Sequence, residues 1–155
     1  MKLRQAIFAV AAVAGALIIA APGFADSPLT SNPRGKLAVQ LLDTVFNQRK
    51  VQEGFDRYVG ATYKQHNPYA ADGRQAAIDF LSKWLGGGGE YKYDFKHVYV
   101  DRNIVIVHSL VTRGAKDPST AVVDIFRFDH HNKIVEHWDV VQQIPDKPAN
   151  DNTMF

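Results

Sequence analysis

The apolar positions of the chain change their spacing part-way along it. Leu37, Leu41, Leu42, Val45 and Phe46 fall three and four residues apart, which predicts a helix from about Pro33 to Asn47. The stretch "RKVQEGFDRYV" keeps that spacing with Val51, Phe55, Tyr58 and Val59 on one side and predicts a second, shorter helix. Pro68 pushes Asn67 toward an extended backbone, so Tyr63 to Asn67 reads as a short strand or an ordered loop. "DGRQAAIDFLSKWLGGGG" predicts a third helix with Ala77, Ile78, Leu81, Trp84 and Leu85 as its apolar stripe, stopped by the glycine run. From Tyr91 the spacing drops to two. "YKYDFKHVYV" alternates, placing Tyr91, Tyr93, Phe95, His97 and Tyr99 on one face.

"NIVIVHSLVT" is apolar on both faces, which predicts cover on both sides: helices on one, a second copy of the chain on the other. "TAVVDIFRFD" and "KIVEHWDVVQ" complete the sheet. Asp117-Pro118 falls in the loop before the first of these, and "DHHNK" joins them in a tight turn with Asn132 suited to a left-handed backbone. Helices first and a long antiparallel meander last describe an α+β domain. A curved, mainly antiparallel sheet wrapped on N-terminal helices makes a cone with an internal pocket, a natural place for a small molecule.

The ends of the chain read differently from its middle. "MKLRQAIFAVAAVAGALIIAAPGFADS" has Lys2 and Arg4, an apolar run and small residues at Gly23 and Ala25, the pattern of a cleaved signal peptide over residues 1–25. Its apolar run is short for a bilayer span, although an uncleaved anchor is the alternative. The expected product is periplasmic or secreted, with no stable membrane insertion after cleavage. Residues 26–34 form a polar linker, 35–145 the domain and 146–155 a flexible tail.

Without Lys2 and Arg4 the basic and acidic side chains are equal at 16 each, which gives no signal for nucleic acid. The absence of cysteine excludes disulfides, thiolate metal sites and a cysteine nucleophile.

Polar residues inside the strands are the candidate chemistry. Alternation places Asp124 beside Phe126 and Phe128, and places His137 and Asp139 between Val135 and Val141. Burial among apolar neighbours raises a carboxylate's pKa toward the range useful for proton transfer. The same pattern fits a structural Asp124 paired with a nearby arginine, and His137 as a satisfied core histidine. His130 and His131 fall in the turn. His66, His108 and His137 match no metal-ligand spacing, and no metal is expected.

"YKQHNP", the helix "GRQAAIDFL" and the ending "VDIFRFDHHNKIVEHWDVVQQIP" resemble the SnoaL-like polyketide cyclase group of the nuclear transport factor 2 (NTF2)-like superfamily, in a subgroup described as predicted aldol-condensation enzymes. The resemblance runs from about Gly35 to Pro145. It implies a cone-shaped α+β barrel, commonly dimeric, with a buried pocket and no cofactor. It places the acid/base aspartate of an intramolecular aldol closure at Asp124, beside an "FRF" run shared with related steroid isomerases. The isomerases' general base falls at or near Asn67, which takes no proton, and their oxyanion-hole tyrosine falls near Leu42, so steroid isomerisation does not fit.

On this reading Asp124 and His66 are the expected catalytic pair, with Asn67, His108, Phe126, His137 and Asp139 lining the pocket. Two functions remain open: a cyclase or aldol-type enzyme acting on a small carbonyl compound, or a module of the same fold that binds a small molecule without turning it over.

Overall fold

Asn32 starts the first helix. Its side chain accepts from the backbone N–H groups of Arg34 and Gly35 at 2.9 and 3.4 Å, and Pro33 follows with a φ already suited to the first turn. The computed structural model describes residues 29–114 and 118–155. The expected signal segment, the first linker residues and Asp117 lie outside them.

Helix α1 (Pro33–Leu42) continues through one wider, π-helical turn to Asn47, close to the bounds its periodicity predicts. The Asp43 carboxylate takes hydrogen bonds from the side chains of Asn47 and Gln48 and braces that turn. Asn47 then docks it on the sheet: its amide donates to the Tyr93 carbonyl at 3.1 Å and accepts from the Tyr93 N–H at 2.8 Å. Helix α2 (Val51–Tyr58) passes directly into strand β1 (Val59–Gln65), which starts earlier than Pro68 suggested. Helix α3 (Arg74–Gly86) ends in the glycine run.

Four antiparallel strands follow: β2 (Lys92–Asp101), β3 (Ile104–Thr112), β4 (Thr120–Phe128) and β5 (Ile134–Gln143). The sheet order is β1-β5-β4-β3-β2, with β1 parallel to β5. Three helices pack on this curved, mostly antiparallel sheet. The core lies between the layers; Phe128, Ile134, Val45, Val105, Val107 and Val111 are almost wholly buried. Each such side chain contributes about 1.5–3 kcal/mol through the area it removes from water.

Two irregularities correct the simple alternation. In β2, Phe95 pairs with Ser109 and His97 with His108, leaving Lys96 unpaired. This bulge reverses the faces beyond it. Tyr93 and Phe95 face the helices as expected, but Val98 and Val100 replace His97 and Tyr99 there. At the other end of the sheet Phe128 pairs with Ile134 and Arg127 with Glu136, which leaves Val135 in a second bulge.

The β4–β5 turn is built as its residues require. Asn132 has φ +58, and the Asp129 carboxylate accepts from the backbone of His131 and Lys133 at 2.9 and 2.8 Å. On β3, Val105, Val107, Ser109 and Val111 are buried under the helices, whereas Ile104, Ile106, His108 and Leu110 are half-buried on the outer face.

Candidate active site

Helices and sheet enclose a cavity of about 620 Å³. Leu42, Val45, Phe46 and Phe55 form much of its helical wall. Its polar groups come from β1, β2, β4 and β5, from Asn67 just beyond β1 and from Arg113 just beyond β3. Cα register places Asp124 opposite Asp139, Phe126 opposite His137 and Val122 opposite Val141, so both strands turn the same face inward. Asp124, Phe126, His137 and Asp139 all line the cavity, together with Asn67 at the end of β1.

Asp124 is 3% exposed. Its Oδ1 lies 3.0 Å from His137 Nε2, and its Oδ2 has no hydrogen-bond partner among the described residues. On the far side of the ring, His137 Nδ1 is 3.1 Å from Gln65 Oε1. That oxygen also accepts the backbone N–H of Asn67 at 3.0 Å, which fixes the orientation of the Gln65 amide. His137 Nδ1 must therefore be the donor to Gln65, because an amide oxygen only accepts. One proton is then shared between Nε2 and Oδ1. The pair is either a neutral acid and a neutral imidazole, or a carboxylate and an imidazolium, and its net charge is zero in both.

Burial raises the pKa of Asp124 above the ordinary 3.8; the His137 hydrogen bond and charge oppose the rise, and Asp139 adds to it. The sign for stability follows. Folded Asp124 holds its proton to higher pH than the unfolded chain, so stability is fully present below about pH 4 and is lost as pH rises through the raised value. Asp124→Asn is free of this loss. The melting temperature of the variant relative to the native protein is expected to increase as pH is raised from 4, measured by calorimetry across pH 4–8; a constant difference would contradict a raised Asp124.

Tyr63 completes the polar wall. Its oxygen accepts from Gln65 Nε2 at 3.1 Å, which leaves the phenolic proton to donate elsewhere. Burial, with the nearby carboxylates Asp124 and Asp139, holds its pKa well above the usual phenol range, so it stays protonated. Tyr93, wholly buried against the same carboxylates, is raised in the same direction. Tyr63, Gln65 and Tyr93 were not among the expected site residues, although Tyr63, Gln65 and Asn67 share a face by the two-residue strand period. Leu42 lines the cavity without a polar atom to offer; the hydroxyls come from Tyr63 and Tyr93.

Asn67 holds Asp139. Its Nδ2 donates to Asp139 Oδ2 at 2.7 Å, while its Oδ1 accepts from the Tyr69 N–H at 2.9 Å. Two expected residues stand elsewhere. His66 follows Gln65 and precedes Asn67, so when those two turn inward it turns outward. It stacks on Trp138 with ring centres 4.6 Å apart, and its Nε2 lies 2.8 Å from Glu136. Burial pushes Glu136 up, but the contacts with His66 and Arg127 outweigh it and hold that carboxyl below its usual range. His66 is thus absent from the cavity wall and is no partner to Asp124.

His108 is also on the outer face. Val107 pairs opposite Asp124, so the next residue must point away. Its ring lies 5.0 Å from that of Phe155, which the chain's final residues bring against the sheet. Of the three histidines considered for a metal, only His137 faces the cavity, and no cluster of three or more metal-ligating side chains occurs among the described residues.

This arrangement has relatives. The family model for the SnoaL-like domain matches residues 38–137, well over half of the chain. The chain belongs to the SnoaL-like family. Its fold-mates include proteins described as SnoaL-like polyketide cyclases and one described as a ketosteroid isomerase. Among solved structures, this SnoaL-like protein is similar to a candidate polyketide cyclase from Acidithiobacillus ferrooxidans, with TM-score 0.61, 16% identity and coverage of 72% of this chain and 90% of that one. A candidate ketosteroid isomerase from Kribbella flavida matches with TM-score 0.61 and 15% identity over 79% of this chain and 87% of its own. A SnoaL-like protein of unknown function from Burkholderia thailandensis gives TM-score 0.59 and 11% identity over 73% and 98%. Identities this low establish the fold and leave the activity to the site. No curated protein sequence matches this SnoaL-like chain.

Proposed function

We propose that this protein is an exported, cofactor-independent enzyme that performs aldol condensation or cyclisation on a small carbonyl compound, with Asp124 as the acid/base. One observation carries the reading: a buried carboxylate that shares a proton with His137 on one oxygen and keeps the other oxygen free of protein partners. When the shared proton resides on His137, Asp124 is a carboxylate and takes the α-proton of the carbonyl substrate. Negative charge then develops on the carbonyl oxygen, where the Tyr63 hydroxyl serves as donor. The enolate carbon attacks the second carbonyl, and the resulting alkoxide receives the proton held by Asp124. Protons balance within the cycle, and general acid/base catalysis of this kind supplies about 10²–10⁴-fold.

The test uses only the first half-reaction. Purified protein in D₂O is incubated with 1,3-diketones and aryl ketones, and α-deuteration is followed by NMR. Exchange above the buffer rate supports the reading. Saturable ligand binding with no exchange across the panel would favour a binding module instead.

Export rests on the charged, apolar and small-residue segments before Asp26. Association of two copies through the outer sheet face rests on half-buried Ile106, Leu110, Ile125 and Trp138 there. Native mass spectrometry of protein recovered from outside the cytoplasm tests both. The expected mass is twice that of a chain beginning at Asp26; a full-length chain argues against cleavage, and a monomer at micromolar concentration against the dimer.

A further inference from the structure

Arg113 follows the end of β3, where the alternation of Val107, Ser109 and Val111 continues onto the inner face. It is the only Lys or Arg on the cavity wall among the described residues. Its guanidinium carbon lies 5.8 Å from the ring centres of both Trp84 and Tyr91, so the two aromatics hold it by cation–π contact. Its Nε is buried and has no hydrogen-bond partner among the described residues. An unmatched buried donor costs about 1–3 kcal/mol, more on a charged group. Neither the fold nor the proton chemistry of Asp124 uses this cation.

A second observation concerns the apolar surface. Five large apolar side chains are exposed among the described residues, and four of them, Tyr69, Phe80, Val140 and Val141, belong to this cavity. Exposed apolar groups lining a cavity mark a site for an apolar ligand rather than an ordinary surface. Val141 pairs with Val122 and Val122 with Ser109, so Val141 stands two residues along the strands from Asp124, and Arg113 stands four residues beyond Ser109. Asp124 lies opposite Val107, about 20 Å from Arg113 along β3 at some 3.3 Å per residue. The cavity thus has a cation at one end of its sheet wall and an acid/base group some way along it, with apolar wall between them.

We infer that the substrate is an amphipathic carboxylic acid, whose carboxylate binds the Arg113 guanidinium and whose apolar body runs along the wall to present its carbonyl to Asp124. This rests on the reading of the cavity as the substrate site and narrows the substrate class. A single charge is favoured over a phosphate dianion, because the wall supplies one guanidinium and, beside the neutral Asp124–His137 pair, the carboxylate of Asp139. The planar fork of arginine matches a carboxylate, which a lysine ammonium does not. Tyr93 sits in the field of all three groups: after burial, Asp124 and Asp139 push its pKa up and Arg113 pulls it down.

Binding of a matched pair of probes, 1-pyrenebutyrate and 1-pyrenebutanol, tests the assignment by fluorescence titration. The native protein is expected to bind the acid roughly tenfold or more tighter than the alcohol, the size of one charge-assisted hydrogen-bond pair. Arg113→Gln removes that preference, with circular dichroism verifying the fold; Arg113→Lys keeps only part of it. Equal binding of acid and alcohol by the native protein, or a preference that survives Arg113→Gln, overturns the inference and leaves the proposed chemistry standing. Failure of the native protein to bind either probe overturns the inference, while the proposed chemistry is decided by the exchange measurement.

Discussion

Asp124→Asn is expected to lower α-proton exchange by about 10²–10⁴-fold while leaving the protein folded. The amide is nearly isosteric with the carboxylate, and its NH2 can donate to His137 Nε2, the accepting nitrogen of a neutral ring whose Nδ1 donates to Gln65, so the strand pairing of residue 124 with Asp139 and Val107 is kept. What disappears is an oxygen basic enough to hold the α-proton. Circular dichroism and the melting temperature separate lost chemistry from lost structure. Exchange within threefold of native in a folded variant would remove Asp124 from the mechanism.

His137→Phe is expected to act in a different way. The phenyl ring keeps the contact with Phe126, whose centre lies 5.0 Å from that of the imidazole. It removes the hydrogen bond and the charge that hold the Asp124 pKa down against burial. That pKa then rises further, so a smaller share of Asp124 is carboxylate at any given pH. Exchange near pH 7 should fall by about 10²-fold, at the lower end of the range for acid/base assistance. The limb of the pH–rate profile governed by Asp124 should move to higher pH, with part of the activity recovered there. A uniform loss at every pH would mean that His137 only supports the fold. Loss of the buried Asp124 and Gln65 partners should also cost about 1–3 kcal/mol in urea denaturation.

The two-residue period within one strand was readable without coordinates. It placed Asp124 with Phe126, and His137 with Asp139, on faces that the structure turns into one cavity. The register between strands was not, because nothing local to β3 says that Val107 rather than His108 stands opposite Asp124. A one-residue change of register exchanges the faces, and that is why His108 lies outside.

The same limit explains His66. His66 and Asn67 are neighbours in an extended segment, so both cannot turn into the pocket. β1 begins at Val59, and its alternation, carried two residues past Gln65, turns Tyr63, Gln65 and Asn67 inward together. The bulge at Lys96 had no glycine or proline to announce it. Arg113 reads in sequence as an ordinary polar residue beside a turn; only packing against Trp84 and Tyr91 makes it part of a wall.

A crystal structure with the ketone that exchanges fastest tests the central claim most directly. The account predicts the α-carbon of the ligand about 3–3.5 Å from a carboxylate oxygen of Asp124, and its carbonyl oxygen within about 2.6–3.2 Å of the Tyr63 hydroxyl. A ligand seated in the cavity with neither group in reach of Asp124 would contradict it.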